Sequence, residues 1–558
     1  MIFPIGTEDF GRVIHRKLDF IDKTLWIKAL FDDKGTDVVV YTRPRRFGKT
    51  LNLSMLHYFL AEVVNGEKTR GMFNNLKIAE LGNEYMQYQG KYPVVTITFK
   101  DVKELNYENA RLKLSNLMAD IYDEYRELLS SQKLSDKQKK EFEVILNKEA
   151  NEVDLQLALK KLTHYIYLHY GIKPWFLIDE YDTPILTGYM NGYYNEMIEF
   201  MRGMLGAALK TNSYIEKAVI TGILRVAKES LFSGVNNLKV YSILNSKHSE
   251  YFGFTEEEVN GALKKADLSD KAAAIKEWYN GYQIGDTVIY NPWSIVNCVD
   301  EKGMIVPYWV NTSDNQLIKD LFKITPIEFK AEFEKLLSSE AVEKLISENM
   351  VFEFLKVNPA SLWSLLLMSG YLKPVSTRQT DQGTFAELVI PNREVRNLYR
   401  QIVEQWLSNG HGIEWYNKFI EALITGKIED FKRYLRIIIE QITSYHDFAK
   451  EPEAFYQGLM LGFTASLHAA GSYQIKSNRE SGLGRFDIML IPKDISRLGI
   501  IIELKVKAET ESLEEAALQA LTQITEKKYA EELKSFDIKK VLKIGIGFCG
   551  KEFALIAV

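Results

Sequence analysis

Three groups of residues have the types and spacing of sites that bind or cleave phosphates. The first, Gly48-Lys49-Thr50, follows an apolar run at 38–41 and a basic loop, and it precedes an amphipathic run that extends through Val64. That order predicts a strand, a loop and a helix. A phosphate-binding loop (P-loop) directs backbone N–H groups and a helix N-terminus at an anion, while a lysine reaches the outer phosphates and a hydroxyl reaches Mg²⁺. Lys49 and Thr50 fit those two roles.

This loop departs from the pattern G-x-x-x-x-G-K-[ST] at its first glycine. Arg43 holds that position, and the neighbouring Pro44 has no N–H to offer an anion. The anion-binding amides would then belong to five consecutive residues, Arg45, Arg46, Phe47, Gly48 and Lys49. The guanidinium groups of Arg45 and Arg46 could add paired hydrogen bonds to phosphate. An ordinary strand-to-helix turn remains the alternative, which the flanking elements disfavour.

The second group is an acidic pair, Asp179 and Glu180, which ends the apolar run in WFLIDEYD. Ligands of parallel α/β sheets bind at this end of a strand. Asp179 would hold the Mg²⁺ of a bound nucleotide through its water shell, and Glu180 would orient and deprotonate an attacking water. Two acids could also simply cap the next helix. The strand predicted at 217–223 places Thr221 as a γ-phosphate contact, with Arg225 as a weaker candidate.

The third group lies near the C-terminus, where Asp487 interrupts an apolar strand. Glu503 and Lys505 stand two apart in a second apolar strand, so both project from one face. A buried carboxylate pair is unfavourable unless it is paired or binds a metal. Mg²⁺ prefers hard oxygen ligands, which Asp487, Glu503 and the Leu504 carbonyl could supply. Lys505 could orient an attacking water or stabilise the developing charge. The alternative is a structural salt bridge between Glu503 and Lys505.

Alternating elements would position the first two groups. Apolar strands are predicted at 38–41, 93–99, 175–178, 217–223 and 238–244, with helices at 107–129, 136–146 and 155–170 between them. This order predicts an α/β fold with a doubly wound parallel sheet. One strand lies in sequence between the P-loop and the acidic strand, and Glu180 directly follows Asp179; both features suit the additional-strand NTPases.

The rest of the chain predicts two further regions. Residues 361–407 read as helix, hairpin and helix, which suggests a winged helix; without a basic recognition helix, joining domains is favoured over inserting into DNA. From residue 451 onward, a helix, a three-stranded meander, a second helix at 511–533 and a strand at 541–548 predict a compact α/β unit.

The motifs resemble two known families. TRPRRFGKT with LIDEYD, and the upstream IGTEDF and DKT, strongly resemble AAA-ATPase-like proteins, and the resemblance extends through YFGFTEEEV, WYNGY and YNPWSI. The spacing D-x(15)-E-L-K resembles the PD-(D/E)XK nuclease superfamily, and SNRESGLGRFD with QALTQITEKKY looks like the nuclease domain commonly fused behind such ATPase-like domains. Gln519, Gln523 and Tyr529 match that pattern, with Glu453 as an extra acid.

This resemblance implies three regions. They are an AAA-like P-loop ATPase domain at 1–300, a helical joining region with a winged helix at 301–450, and a restriction-endonuclease-like domain at 451–558.

Composition limits the remaining possibilities. A chain of 558 residues, 46% hydrophobic and 26% charged, predicts an ordinary globular protein of about three or four domain-sized units. No apolar run reaches the roughly 18 to 20 residues of a membrane span, and the acidic N-terminus is unlike a signal peptide, so a cytoplasmic protein without membrane contact is predicted. Cys298 and Cys549 provide neither a disulfide framework nor a zinc site. The net charge of −5 requires any contact with nucleic acid to be local.

The sequence therefore predicts a protein that binds ATP and hydrolyses it, with a Mg²⁺-dependent nuclease domain controlled by the nucleotide state. ATP and Mg²⁺ are the predicted cofactors, nucleic acid is the predicted partner with DNA favoured over RNA, and a homo-oligomer is compatible with the sequence. The alternative is a signalling or scaffold switch whose nuclease fold binds a partner without cutting. Asp487, Glu503 and Lys505 together favour the enzyme.

Overall fold

The structure is a computed structural model of the 558-residue chain. It describes residues 2–226, 238–310, 339–350, 359–407, 413–442, 472–481, 484–508, 510–550 and 552–558, together with isolated positions between these ranges. The chain forms two compact units, Met1–Leu317 with Glu343–Glu394, and Ile318–Val342 with Val395–Val558. The predicted boundaries at 300 and 450 stay predictions, since residues 443–459 lie outside the described ranges.

A five-stranded parallel sheet forms the centre of the first unit. Its strands are β1 (Val38–Thr42), β2 (Val94–Thr98), β3 (Trp175–Asp179), β4 (Lys217–Gly222) and β5 (Leu238–Tyr241). Their spatial order is β2-β3-β4-β1-β5. Every residue of β1, β3 and β4 is buried, as in a sheet covered on both faces. The predicted α/β parallel sheet is confirmed, and β4 is the additional strand between the P-loop strand β1 and the acidic strand β3.

The first unit also contains many helices. They are Phe10–His15, Leu25–Asp32, Lys49–Leu60, Lys77–Glu80, Asn83–Met86, Tyr107–Asp123, Asp136–Leu146, Glu152–Tyr170, Thr183–Asn191, Tyr194–Leu209, Glu256–Lys265, Ala272–Tyr279, Pro292–Asp300 and Pro359–Met368. Their ends follow local chemistry. Ser135 and Thr255 each begin a helix with a reciprocal capping box, and Gly171 ends another in the left-handed conformation.

Two helices are shorter than their patterns predict. The P-loop helix, Lys49–Leu60, stops before Val64 because the backbone is already extended at Ala61, and Asn65-Gly66 then adopts left-handed backbone at both positions. That is the turn of a tight hairpin, which joins the strands Val63–Val64 and Glu67–Lys68. The helix predicted at 107–129 ends at Asp123 and is followed by a 3₁₀ turn, Arg126–Ser130.

The predicted helix, hairpin and helix at 361–407 are present. The helix Pro359–Met368 leads into the antiparallel strands Lys373–Thr380 and Gly383–Val389, and the helix Arg393–Leu407 follows. A third strand, Val342–Ile346, extends this sheet. Shorter pairs join Tyr282–Ile284 with Thr287–Ile289, and Arg225–Val226 with Asn349–Met350. Whether the hairpin region joins domains or binds DNA stays a prediction.

A five-stranded mixed sheet forms the centre of the second unit. Its strands lie in the order β6 (Tyr473–Ser481), β7 (Gly484–Pro492), β8 (Gly499–Val506), β9 (Val541–Cys549) and β10 (Glu552–Ala557), of which only β8 and β9 are parallel neighbours. Its described helices include Ile413–Ile424, Ile428–Ile442, Leu513–Glu526 and Ala530–Ser535. The edge strand β10 is an addition to the predicted elements, and the helix predicted at 511–533 is broken where Lys528 takes a left-handed conformation.

Alternate residues of these strands build two cores. Ile488 and Ile502 pack with the helices Ile413–Ile424 and Ile428–Ile442. Met489 and Ile501 pack instead with Leu521 and Ile524 of the helix Leu513–Glu526 and with residues that follow this helix. The predicted helix at 452–470 lies outside the described residues apart from two positions. Within the described ranges, every helix is too short or too polar to cross a lipid bilayer.

Candidate functional site

The P-loop closes tightly between β1 and its helix. Gly48 precedes the first helical residue with φ of +78°, and Arg46 is also left-handed with φ of +66°. The ammonium of Lys49 donates to the carbonyls of Pro44 at 2.9 Å and of Arg43 at 3.2 Å. Burial lowers the pKa of Lys49, although nearby carboxylates oppose the shift. The loop therefore holds the Lys49 ammonium against its own carbonyl groups, at the start of a helix.

The predicted metal-binding residues lie together at the carboxyl ends of the strands. The Thr50 hydroxyl donates to Asp179 Oδ2 at 2.6 Å, and the Thr221 hydroxyl donates to Asp179 Oδ1. Asp179 is 5% exposed, and burial raises its pKa while the two hydroxyls lower it. Thr221 reaches Asp179 because β4 is the neighbour of β3. One carboxylate thus connects the P-loop helix with two central strands.

Glu180 lies beside this cluster in a strained conformation. Its φ is +52°, a left-handed value that is unfavourable for a residue with a side chain and that occurs often at functional sites. Its Oε2 accepts a hydrogen bond from the Thr183 hydroxyl at 3.2 Å. Glu180, Lys49 and Thr50 all line one cavity of about 440 Å³. That volume lies within the usual range of small-molecule sites.

A third acid of the same motif, Asp182, has a role that the sequence analysis missed. Its Oδ2 accepts from the backbone N–H groups of Ile223 at 2.9 Å and Leu224 at 2.8 Å, and burial raises its pKa. Asp182 therefore fixes the segment that follows Thr221. The available signal was the spacing in DEYD, which places a third acid three residues after Asp179, at the N-cap of the helix Thr183–Asn191. Arg225 lies just beyond, and it is not part of the described cavity lining.

Arg43, at the position of the first P-loop glycine, is completely buried. Its guanidinium donates to the carbonyl oxygens of Thr42 at 2.9 Å, Tyr241 at 2.7 Å and His248 at 3.4 Å. Burial lowers its pKa to about 10. These contacts join the end of β1 to the end of β5 and the loop beyond it. Arg43, which replaces the first glycine of the common motif, therefore holds the start of the loop in place through hydrogen bonds to backbone carbonyls.

The aromatic segments of the sequence form the wall around the P-loop. The Arg46 guanidinium lies 4.4 Å from the centre of the Trp293 ring, and the Phe47 ring meets the Tyr282 ring edge-on at 5.1 Å. Asn291 accepts from the N–H groups of the first turn of the helix Pro292–Asp300 and so positions Trp293. The segments WYNGY and YNPWSI therefore contact two of the five predicted phosphate-binding residues directly.

The acidic residues of the second unit face each other across β7 and β8. Ile488 pairs with Ile502, which places Asp487 opposite Glu503. The Asp487 N–H donates to Glu503 Oε2 at 3.2 Å, and the Leu504 N–H donates to Asp487 Oδ2 at 2.8 Å. Glu503 is only 2% exposed. Two carboxylates therefore lie side by side, each accepting from the neighbouring strand.

A helix approaches these carboxylates closely because β9 carries glycines beside them. Gly545 pairs with Glu503 and Gly547 pairs with Lys505. A Cβ at Gly545 would overlap the Ala517 carbonyl of the helix Leu513–Glu526. From this helix the Gln523 amide donates to Glu503 Oε1. Glu503 and Lys505 thus share the face that this helix covers.

The other residues suggested by the nuclease resemblance lie in different settings. Gln523 also donates to the hydroxyl of the buried Tyr529 at 3.4 Å. Gln519 instead donates to Glu511 at 2.7 Å on the exposed side of its helix. Glu453 lies outside the described residues.

Both clusters offer hard oxygen atoms of the kind that Mg²⁺ prefers. Mg²⁺ is commonly held by one or two carboxylates, with water and substrate phosphate completing the shell. Thr50 with Asp179, and Asp487 with Glu503, fit that donor set. Among the described residues, no cluster of three or more His, Cys, Asp or Glu side chains is arranged to hold a metal. Water and substrate phosphate would complete the shell at either cluster, as is usual for Mg²⁺.

These two arrangements are those of a P-loop domain with an additional strand and of a restriction-endonuclease-like domain. Residues 4–232 match the family model described as a predicted AAA-ATPase, and residues 451–557 match the model of the PD-(D/E)XK nuclease superfamily. Both resemblances predicted from the sequence are confirmed.

A similarity to another protein extends over nearly the whole chain. An Azotobacter chroococcum mcd 1 protein, described as "Uncharacterized protein in vnfD 5'region", is 23% identical over 544 residues. The match covers 95% of this chain and 93% of that protein. No solved structure matches this chain significantly. The family matches suggest ATPase and nuclease roles at the level of the domain.

Proposed function

We propose that this protein binds and hydrolyses ATP in its first unit, and that its C-terminal domain is a Mg²⁺-dependent nuclease controlled by the nucleotide state. The observation that carries the first part is the Thr50–Asp179–Thr221 cluster, which lies beside the cavity that Lys49 and Glu180 line. The residue ranges 1–300, 301–450 and 451–558, and assembly as a homo-oligomer, belong to the same proposal.

In the nucleotide site, each residue has a role that its position supports. Lys49 exchanges its loop carbonyl partners for the β- and γ-phosphates, which are stronger acceptors because they are charged. The amides from Arg45 to Lys49 and the helix N-terminus face the same anion. Glu180 orients the attacking water and takes its proton, and Thr221 holds the Asp179 carboxylate in place.

In the C-terminal site, Asp487 and Glu503 provide the carboxylates, and Lys505 shares their face. Bound Mg²⁺ would neutralise phosphate charge at both sites and would favour ionisation of the attacking water at the nuclease site. Lys505 orients that water or stabilises charge on the phosphate. Gln523 positions Glu503 through its amide. The substrate is nucleic acid, with DNA favoured over RNA.

A second candidate is a nucleotide-dependent switch whose nuclease fold binds a partner without cutting it. The observation that favours it is that Asp487 and Glu503 each already accept a backbone N–H. A carboxylate pair with only a structural role would make the same contacts.

The test is incubation of the purified full chain with labelled DNA and RNA, with and without Mg²⁺ and ATP. We expect cleavage that requires Mg²⁺ and changes with ATP. In the Lys49→Ala variant, ATP should bind much more weakly and no longer affect cleavage, while basal cleavage remains. In Asp487→Asn, cleavage should be lost while ATP binding remains. Unchanged ATP affinity in Lys49→Ala would remove the P-loop assignment. ATP binding without cleavage of either nucleic acid under any condition would favour the switch.

A further inference from the structure

Lys100 is one of four lysines that line the nucleotide cavity, and it lies next to the acidic strand. Lys100 follows the end of β2 by two residues, and β2 is the neighbour of β3, with Thr98 in register with Asp179. Lys100 therefore lies beyond the same edge of the sheet as Glu180, one strand away. Adjacent strands are about 4.8 Å apart, a distance that a lysine side chain can cross. The attraction of Asp179 contributes to raising the pKa of Lys100, after the larger effect of its hydrogen bond to Glu8.

The partner of Lys100 is an acid from the N-terminal segment. Lys100 Nζ lies 2.7 Å from Glu8 Oε2, and the side chains are 40% and 43% exposed. Glu8 lines the same cavity. An ion pair this exposed is weak, so a competing anion can open it.

The P-loop helix holds the segment that carries Glu8. Asp9 accepts from the Arg12 N–H at 2.7 Å, which caps the helix Phe10–His15, and from the Tyr58 hydroxyl at 3.1 Å. The Phe10 N–H donates to the Ser54 hydroxyl at 2.9 Å. Tyr58 and Ser54 both belong to the P-loop helix. Glu8 is therefore fixed relative to the phosphate-binding loop, which accounts for the motif IGTEDF beside a nucleotide site.

Two of the three other lysines of the cavity, Lys23 and Lys49, have different surroundings. Lys23 is buried and paired with Glu258 at 2.6 Å, and it also donates to the Glu250 carbonyl. Lys49 is held by the carbonyls of its own loop. Lys100 differs from both because it pairs with a single exposed carboxylate and because it lies beside the end of the acidic strand.

We propose that Lys100 is a γ-phosphate-binding residue and that Glu8 holds it when the γ-phosphate is absent. This inference rests on the proposed ATP binding and adds to it a means of discriminating ATP from ADP. A terminal phosphate carries more charge than a carboxylate and offers three acceptor oxygens, so it displaces Glu8. ADP lacks the group that would do so, and the Lys100–Glu8 pair then stays closed.

The two partners have opposite expected effects. Lys100→Gln removes a charged hydrogen bond to the γ-phosphate, so the affinity for ATP should fall about 10- to 100-fold while the affinity for ADP is unchanged. Glu8→Gln removes the competitor, so the affinity for ATP should rise up to about 5-fold, again without effect on ADP. If the pair is only structural, both variants shift the affinities for ATP and ADP alike.

The measurement is calorimetric titration of the full chain with Mg²⁺ and either ADP or a non-hydrolysable ATP analogue. The variants are Lys100→Gln, Glu8→Gln and the double variant, in which the gain from Glu8→Gln should disappear. Lys113→Gln is the matched control, because Lys113 forms a comparable ion pair with Glu104 at 3.2 Å and does not line the described cavity. It should bind both nucleotides as the unmodified protein does.

The outcomes separate this inference from the function on which it rests. If the unmodified protein binds neither nucleotide, or if Lys49→Ala binds ATP normally, the proposed ATP site fails and the inference fails with it. If ATP binding requires Lys49 but Lys100→Gln weakens ATP and ADP equally or leaves both unchanged, only the role of Lys100 is overturned. Weaker ATP binding in Glu8→Gln would also overturn it.

Discussion

Replacing Asp487 with Asn distinguishes a metal site from a structural cluster by the sign of its effect on stability. In a metal site without its ion, Asp487 and Glu503 repel each other, and Asn removes that repulsion. The Asn side-chain oxygen can still accept from the Leu504 N–H, which now donates to Asp487 at 2.8 Å. In a structural network with Lys505, the same change leaves a buried charge without its partner. The first case predicts equal or higher stability, and the second predicts a large loss.

The expected size follows from the positions of the two acids. Residues that face each other on antiparallel strands place charges about 5 Å apart, and the repulsion at an effective dielectric constant near 20 is about 3 kcal/mol. Asp487 is partly exposed, so solvent reduces this to roughly half. Exchanging a charged acceptor for a neutral one at Leu504 loses roughly 1 kcal/mol. The net change is about 0 to +1 kcal/mol, or about 0 to 4 °C in Tm. A structural network predicts a loss of roughly 3 to 5 kcal/mol, or about 6 to 20 °C.

The assay is thermal unfolding of the unmodified protein and of Asp487→Asn, each with and without Mg²⁺, combined with the cleavage assay. Mg²⁺ should raise the Tm of the unmodified protein and should have less effect on the variant, which should not cleave. Glu552→Gln is the control, because it removes one exposed negative charge from the edge strand of the same sheet. A large loss of Tm in Asp487→Asn, together with no effect of Mg²⁺ on the unmodified protein, would refute the metal site.

Three further changes test other parts of the structure. Glu180→Gln should still bind ATP but lower its turnover by roughly 10² to 10⁴, since it removes the proton acceptor; equal turnover would leave Glu180 with a structural role. Arg43→Leu should lower the free energy of unfolding of the first unit by about 2 to 4 kcal/mol in urea, because buried carbonyls such as that of His248 lose a charged donor. Unchanged stability would contradict the proposal that Arg43 joins the ends of β1 and β5. Gly545→Ala should lower the free energy of unfolding by about 1 to 3 kcal/mol, and with it the Tm, because the added Cβ overlaps the helix Leu513–Glu526. Gly261→Ala is the control and should be neutral or stabilising, because the space around Gly261 is open.

Much of the fold could be predicted because its central strands are continuous apolar runs. Buried parallel strands need no alternation, so β1, β3 and β4 are recognisable as short runs of Val, Ile, Leu and aromatic residues. The edge strand β10 was harder to predict because nothing in its short sequence shows which strand it pairs with. The Asn65-Gly66 turn was a local signal that the apolar pattern of the preceding helix concealed.

Thr50, Asp179 and Thr221 lie close together because the carboxyl ends of parallel strands meet at one edge of the sheet. These residues could therefore be proposed as site residues from the sequence alone. The contacts of Arg43 could not, because its carbonyl partners at Tyr241 and His248 are about 200 residues away and carry no side-chain signature. Asp182 was missed for a similar reason, since its partners are backbone N–H groups.

The position of β1 between β4 and β5 has a consequence for synthesis on the ribosome. The P-loop strand ends at residue 42, but both of its neighbours lie beyond residue 216, so its edges have no partner until about 180 further residues have been made. At roughly 5 to 20 residues per second, that delay is about 10 to 40 seconds. During this time an apolar segment with unpaired N–H and C=O groups is exposed, which is the condition that favours aggregation. We therefore expect the nascent chain to depend on a chaperone until β5 emerges, and fragments that end before β4 to be insoluble.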